Sequence, residues 1–334
     1  DSSQFNVGPA LYRSHLKRDA HMAVDLLKRI FALVPVLLLV SVCVVLLLRL
    51  TPGDPAAILA GDAATTEQLE RIREAMGLNE PILTQYFTWM GKIMQGDLGV
   101  SLISGVPVLD MVSQRIGPTI SIAVLTIIIA VLVAIPMGVV AAWRHRSWAD
   151  YLVMSFSVLG FSVPVFLVGS VLRLIFAVNL GWLPVRGFKP ISSGLGGFLE
   201  RAILPALTLA SIYIALIARM TRAAMLDVLG EDYIRTARAK GVSDRRLLFV
   251  HALKNAAVPV VTIVGTGFAL LISGVVVTES IFNIPGIGRL TVDAVLARDY
   301  PVIQAMILLT SALYVFVNLL IDLSYTLFDP RIRY

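Results

Sequence analysis

Residues 118–142 read PTISIAVLTIIIAVLVAIPMGVVAA. The run holds no charged side chain. It exceeds the about 20 residues that an α-helix needs to cross the hydrocarbon core of a bilayer. One such run makes an anchor; several make a bundle. Upstream lies FALVPVLLLVSVCVVLLLRL (31–50), and downstream lie four more apolar segments, at about 151–178, 202–220, 256–278 and 301–323. Lipid offers no partner to a bare peptide group, so each segment is expected to be helical. The fold class is an all-α polytopic membrane protein with six transmembrane helices.

Composition agrees with that reading. Of the 334 residues 57% are hydrophobic and 15% charged, against about 25% charged in an average soluble domain. The net charge of +6 would suggest nucleic acid for a soluble chain. In a polytopic one, Lys and Arg gather in cytoplasmic loops and orient the helices. Seven of them lie between helices four and five: Arg222, Arg235, Arg238, Lys240, Arg245, Arg246 and Lys254. Lys28 and Arg29 precede helix one, Arg144 and Arg146 follow helix two, and Arg331 and Arg333 end the chain. The opposite loops spread fewer basic residues over more chain. Both termini are therefore expected in the cytoplasm.

Residues 1–21 lack the apolar centre of a signal peptide and read as a dispensable leader or extension, set aside from the fold. Residues 22–112 then hold helix one and an external segment, and 113–334 a five-helix core with a cytoplasmic loop at 221–255. In the external segment TPGDPAA (51–57) reads as a turn. TTEQLERIREAMGL (65–78) reads as a short amphipathic helix with Thr66 as N-cap. GDLGVSLISGVPVLDMV (96–112) reads as a return loop with a short helix leading to helix two. Pro35, Pro136, Pro164, Pro205 and Pro259 fall in or near the starts of apolar helices. Such prolines bend a helix; they are ordinary kinks, or they mark helices lining a cavity that opens and closes. Pro164, with Gln304 and Asn318 in helix six, is a candidate for a polar path; hydrogen bonding between helices competes for both amides.

Several chemistries are excluded. There is no G-x-x-x-x-G-K-[ST] phosphate loop, no H-E-x-x-H and no G-x-S-x-G elbow. The four histidines are dispersed and Cys43 is the lone cysteine, so no metal site and no catalytic residues are expected. Arg49, Arg173, Arg219 and Asp322 sit near helix ends, where snorkelling accounts for them.

The most charged stretch is EDYIRTARAKGVSDRRLLFVHALK (231–254). It admits three readings: a solvated loop, a nucleic-acid patch or a docking element. Glu231 and Asp232 suit a helix start. Tyr233, Ile234 and Ala237 make a narrow apolar face. Gly241 suits the position just past a helix end, where positive φ is cheap for glycine. Ser243 suits the N-cap of a second helix, 244–254, whose Leu247, Leu248, Val250 and Leu253 can pack back on the bundle. Interleaved acids and membrane-tied ends argue against nucleic acid. A short exposed helix suits a partner's groove, with Tyr and Ile at its tip; a solvated surface helix is the alternative.

DYIRTARAKGVSDRRLLFVHALKNAAVP (232–259) resembles the EAA-type cytoplasmic loop of binding-protein-dependent ABC importer permeases, most closely the dipeptide, oligopeptide and nickel branch and the first permease of its pair. TPGDPAAILAG (51–61), GDLGVSL (96–102), ILPALTLA (203–210), TESIFNIPGIGRL (278–290) and YTLFDPRIRY (325–334) agree with it in order and spacing. The resemblance implies a type I importer fold in the bacterial inner membrane, working by alternating access and shuttling short peptides or a related solute such as glutathione, a nickel complex or a sugar. It implies a second homologous permease, two ATPase subunits that use ATP and Mg2+, and a periplasmic or lipid-anchored substrate-binding protein. This chain would bind no cofactor. The coupling role in the ATPase groove would fall on Asp232, Tyr233, Ile234, Arg235, Thr236, Ala237, Arg238, Ala239, Lys240 and Gly241. A stand-alone secondary carrier and a non-transporting scaffold are the competing readings; the loop at 179–200 is either an arm toward the binding protein or a linker.

Overall fold

The computed structural model describes residue 31 and residues 33–46, 54–60, 64–75, 77–273 and 275–328. The leader at 1–21, the basic pair Lys28–Arg29 and the last residues, 329–334, lie outside them. In chain order the helices are α1 (Leu33–Leu46), α2 (Pro55–Ala60), α3 (Thr66–Ala75), α4 (Ile82–Met94) and α5 (Val108–Trp143). They continue with α6 (Trp148–Ser162), α7 (Val165–Asn179), α8 (Leu195–Leu229), α9 (Asp232–Ala239) and α10 (Asp244–Asn255). The last four are α11 (Ala257–Ser273), α12 (Val276–Phe282), α13 (Ile287–Ala297) and α14 (Tyr300–Phe328).

Among the described residues three helices are each long and apolar enough to cross a membrane: Val108–Trp143, Leu195–Leu229 and Tyr300–Ser324. Two further candidate spans are bent pairs, α6 with α7 at 101° and α10 with α11 at 63°. The first bend corrects the expectation of one continuous helix over 151–178. Pro164 drives Val163 into an extended conformation (φ −85°, ψ 122°), since the ring clashes with an α-helical residue before it. By contrast Pro118, Pro136 and Pro205 lie inside unbroken helices.

The segment between α1 and α5 differs from expectation in its caps. Asp54 caps α2 by accepting the Ala56 N–H at 3.0 Å, and Pro55 takes the first helical position, where its missing N–H costs nothing. TPGDPAA thus opens a helix, and its tail is not a turn. Thr65 and not Thr66 caps α3: Gln68 N–H reaches Thr65 Oγ1 at 3.3 Å and Thr65 N–H reaches Gln68 Oε1 at 3.0 Å, a reciprocal capping box. The short helix expected before helix two is the first part of α5 itself, which runs across position 112 without a break.

Small residues let the bundle close around α5 and α8. A Cβ on Gly138 of α5 would stand 2.7 Å from the Ala218 carbonyl oxygen and 2.6 Å from Thr221 Cβ. Gly160 of α6 meets Ala215 and Gly169 of α7 meets Thr208, two positions seven residues apart on one face of α8. Gly265 of α11 receives Ile321 of α14. Membrane helices associate by this close approach because lipid tails give apolar side chains no reason to leave them. Between Thr119 and Ala142 the α5 axis advances about 34 Å at 1.5 Å per residue. The clusters at its two ends are therefore on opposite sides of the bundle.

Candidate functional site

At the C-terminal end of α5 the surface helix α9 is moored to the bundle. Ile234 is 1% exposed and packs with Val139 and Ala142 of α5, Ala224 and Met225 of α8, and Leu247 and Leu248 of α10. The Arg238 guanidinium lies over the Trp143 ring, 5.3 Å from its centre. The helix ends as its sequence predicts. Gly241 has φ +79°; its N–H donates to the Arg238 carbonyl at 3.0 Å and the Val242 N–H to the Ala237 carbonyl at 3.2 Å. That is a Schellman cap. Ser243 precedes α10 with extended backbone but makes no side-chain cap bond.

The expected tip is corrected. Ile234 points into this chain and is unavailable to a partner's groove, whereas Tyr233 is 44% exposed. Asp232, Arg235, Thr236, Arg238, Ala239, Lys240 and Gly241 are also exposed and Ala237 is half-buried. A depression of about 330 Å³ runs beside the helix, lined by Leu229, Ile234, Arg235, Arg238 and Ala239. In α10 Leu247 and Leu248 are buried as expected, but Val250 is 51% exposed. Residues Leu247–Ala252 wind as a π-helix, whose wider turn rotates Val250 off the packed face.

A buried ion pair stiffens the same end. Asp150, 2% exposed, accepts from both Nε and Nη2 of Arg222, from the Arg146 N–H at 2.9 Å, and lies 3.2 Å from His145 Nδ1. The turn between α5 and α6 is thereby fixed to α8 close to where α9 begins. Arg222 thus does more than mark topology.

At the opposite end sits a second buried carboxylate. Glu279 of α12 is 2% exposed. It accepts the Thr119 hydroxyl at 2.7 Å through Oε1 and the Arg289 N–H at 2.8 Å through Oε2. Thr119 Oγ1 in turn accepts the Ile287 N–H at 2.9 Å. The carboxylate and the hydroxyl together satisfy the first turn of α13, where the helix dipole favours negative charge. Burial pushes the Glu279 carboxyl above its ordinary range; the bonds from Thr119, Arg289 and Gly288 and the charge of Arg115 pull it back. Arg173 does not snorkel: its Nη1 donates to the Ile281 carbonyl at 2.8 Å, tying α7 to α12.

The path candidates are not brought together. Pro164 is exposed at the α6–α7 break, and Asn318 is half-buried on α14. Gln304, a further 14 residues toward the start of α14, lines a cavity of about 680 Å³ that includes neither of the others. One wall of this cavity is the 97–107 loop, held by a third buried acid: Asp299, 4% exposed, accepts the Ser101 hydroxyl and, at 3.1 Å, the Leu102 N–H. Among the described residues no group of three or more His, Cys, Asp or Glu is placed to hold a metal ion.

Residues 134–334 match the family model described as binding-protein-dependent transport system inner membrane component. Residues 22–123 match the model of the N-terminal part of such membrane components. The chain is 51% identical over 313 residues to a probable peptide ABC transporter permease protein of Sinorhizobium fredii, covering 94% of this chain and all of that one. It is 46% identical over 313 residues to a putative peptide transport system permease protein of Brucella abortus, covering 94% and 100%. A glutathione transport system permease protein of Escherichia coli is 43% identical over 309 residues, covering 92% and 98%. A long helical bundle, matched along nearly its whole length by permeases, identifies the chain as a member of the binding-protein-dependent inner membrane component family: the multi-pass permease subunit of an ABC importer.

Proposed function

We propose that this permease forms half of a translocation path for short peptides or glutathione-like solutes, and that α9 is its lever. The observation that carries the reading is the mooring of α9. Ile234, the Arg238–Trp143 contact and the Schellman cap at Gly241 join a short exposed helix to the ends of α5, α8 and α10. A push on its outer face, Tyr233, Arg235, Thr236 and Lys240, is delivered to the spine of the bundle as a rigid displacement. Two ATPase subunits supply the push by closing on ATP and Mg2+, one beneath each permease of a heterodimer. An external binding protein delivers the solute. Names of the relatives support the substrate class.

Six spans are assembled from the three continuous helices, the bent pair α6–α7, α11 and α1. With the basic α9–α10 loop inside the cell, both termini are cytoplasmic and the Glu279 end faces outward.

Arg235→Glu tests the lever. The Arg235 side chain is 77% exposed and its one ion pair among the described residues is with Asp232 of its own helix, so its reversal leaves the fold intact. In the reconstituted complex, ATP-driven peptide uptake and binding-protein-stimulated ATPase activity should fall about tenfold or more, the effect of about 1.4 kcal/mol at the interface. Unchanged coupling at unchanged subunit stoichiometry rejects α9 as the docking element.

A further inference from the structure

The helix α4, ILTQYFTWMGKIM, is inside out for a surface helix in water. Leu83, Phe87, Met90 and Met94 recur at the steps of one helical face. Leu83, Phe87 and Met94 are 71%, 67% and 80% exposed, and no residue of α4 is buried. The other side of the helix carries Thr84, Gln85, Thr88 and Lys92, and these line the cavity of about 680 Å³ that Gln304 also lines. A helix packed on a protein in water turns its polar side outward. In α4 the polar side meets the cavity and the apolar side faces away from the chain.

What covers that face follows from where α4 is tied. Its Tyr86 hydroxyl stands 2.7 Å from the hydroxyl of Ser41, which is buried and lies near the middle of the apolar run 31–50. Val45, one turn further along α1, lines the same cavity as Trp89. A helix bonded to the middle of a membrane span is held at the bilayer and not in the water beyond it. The free side of α1 asks for the same partner, since Leu38, Leu39, Val42 and Leu46 are exposed. Charge separates α4 from its neighbour: α3, TEQLERIREA, carries five charged residues and suits water, whereas α4 carries only Lys92, in its last turn. Tyr86 and Trp89 are residues of the type that gathers where membrane meets water. We infer that α4 is an interfacial helix, with Leu83, Phe87, Met90 and Met94 among the lipid acyl chains beside α1 and with Thr84, Gln85, Thr88 and Lys92 turned to the cavity. Such helices sink their apolar side about 5–10 Å into the boundary between headgroups and acyl chains. The segment between α1 and α5 is thereby fastened to the bilayer as well as to the bundle. The inference rests on α1 being a span, as proposed above, and on nothing about the solute.

Spin labels read the surroundings of each face directly. In the full importer complex in lipid nanodiscs, Cys43→Ala removes the native thiol, and one nitroxide at a time is placed at Phe87→Cys, Thr88→Cys, Glu67→Cys or Leu39→Cys. Power saturation is measured with oxygen, which concentrates among acyl chains, and with nickel ethylenediamine diacetate, which stays in water. The oxygen-to-nickel accessibility ratio at Phe87→Cys should match that at Leu39→Cys on α1. It should exceed the ratios at Thr88→Cys, on the cavity side, and at Glu67→Cys, on α3, by about fivefold or more, as befits a side chain below the headgroups. Leu83→Cys repeats the reading on the same face if the Phe87→Cys complex does not assemble. A ratio at Phe87→Cys equal to that at Thr88→Cys puts the face in water and overturns the inference. Exclusion of both reagents at Phe87→Cys puts protein over the face and overturns it equally. A lipid-like Leu39→Cys beside a water-like Phe87→Cys removes the interfacial helix alone, whereas a water-like Leu39→Cys removes α1 as a span as well.

Discussion

Gly286→Ala should be among the most damaging single-methyl changes in this chain, and the reason is geometric. Gly286 has an extended backbone, φ −107° and ψ 177°, which alanine adopts freely. Space is the obstacle: an added Cβ would lie 1.9 Å from Glu279 Oε1 and 2.1 Å from its Cδ. The carboxylate must retreat by more than 1 Å to reach ordinary contact, which breaks its bonds to the Thr119 hydroxyl and the Arg289 N–H. Each such bond to a charged acceptor is worth about 1.5–3 kcal/mol, so the expected loss is about 3–5 kcal/mol. Glu279→Ala removes the same acceptor and should cost about as much. In the double variant the methyl has nothing left to strike, so the total should stay at about 3–5 kcal/mol, with a coupling energy of about 3–5 kcal/mol. Thermal unfolding of the purified permease pair in detergent, followed by tryptophan emission, reads this as a fall of about 4–7 °C in either single variant and no further fall in the double. If the two losses add, or if Gly286→Ala melts with the wild type, the carboxylate is not what fills that space.

Asp150→Ala strands Arg222, whose side chain is 19% exposed, and frees the Arg146 N–H. Breaking a buried pair costs about 3–5 kcal/mol and partial exposure reduces that, so a loss of about 2–4 kcal/mol in the same melting assay is expected; an unchanged melt refutes the tie. Gly241→Ala keeps every contact but places a Cβ at φ +79°, at about 1–2 kcal/mol. Amide exchange at Val242 should quicken at least fivefold while α5 and α8 are unaffected, and equal protection at Val242 would show that the cap does not hold the end of α9.

How legible these features were in the sequence depended on how local their causes are. Spanning helices announce themselves through run length, because every residue of a span meets the same solvent. The end of α9 is equally local: a glycine four residues past Ala237 selects the Schellman geometry by itself. Adjacent threonines at 65 and 66 look alike, and only Gln68, three residues beyond Thr65, decides which one caps. The apolar face of α9 was visible, but periodicity does not say whether Ile234 meets a partner or its own chain. Glu279, Asp150 and Asp299 gave the least warning. Their partners lie 160, 72 and 198 residues away, and a single acid carries no mark of a partner so distant. TESIFNIPGIGRL gave one clue: two glycines follow an acid at the spacing a buried carboxylate needs to approach a helix start.

The sharp break at Ser162–Val165 has a consequence for assembly. A bend of 101° strips helix partners from the last carbonyls of α6 and the first N–H groups of α7, near the centre of an apolar segment. Phe161 is 46% exposed there, and Ser162 and Pro164 also face outward. Hydrocarbon tolerates such backbone only where protein or trapped water covers it, at several kcal/mol for each bare group. A solitary copy in lipid is thus chemically unfinished. Where the proposed second permease covers this break, the lone subunit is the less stable species in lipid, because the companion satisfies the peptide groups that the bend leaves bare.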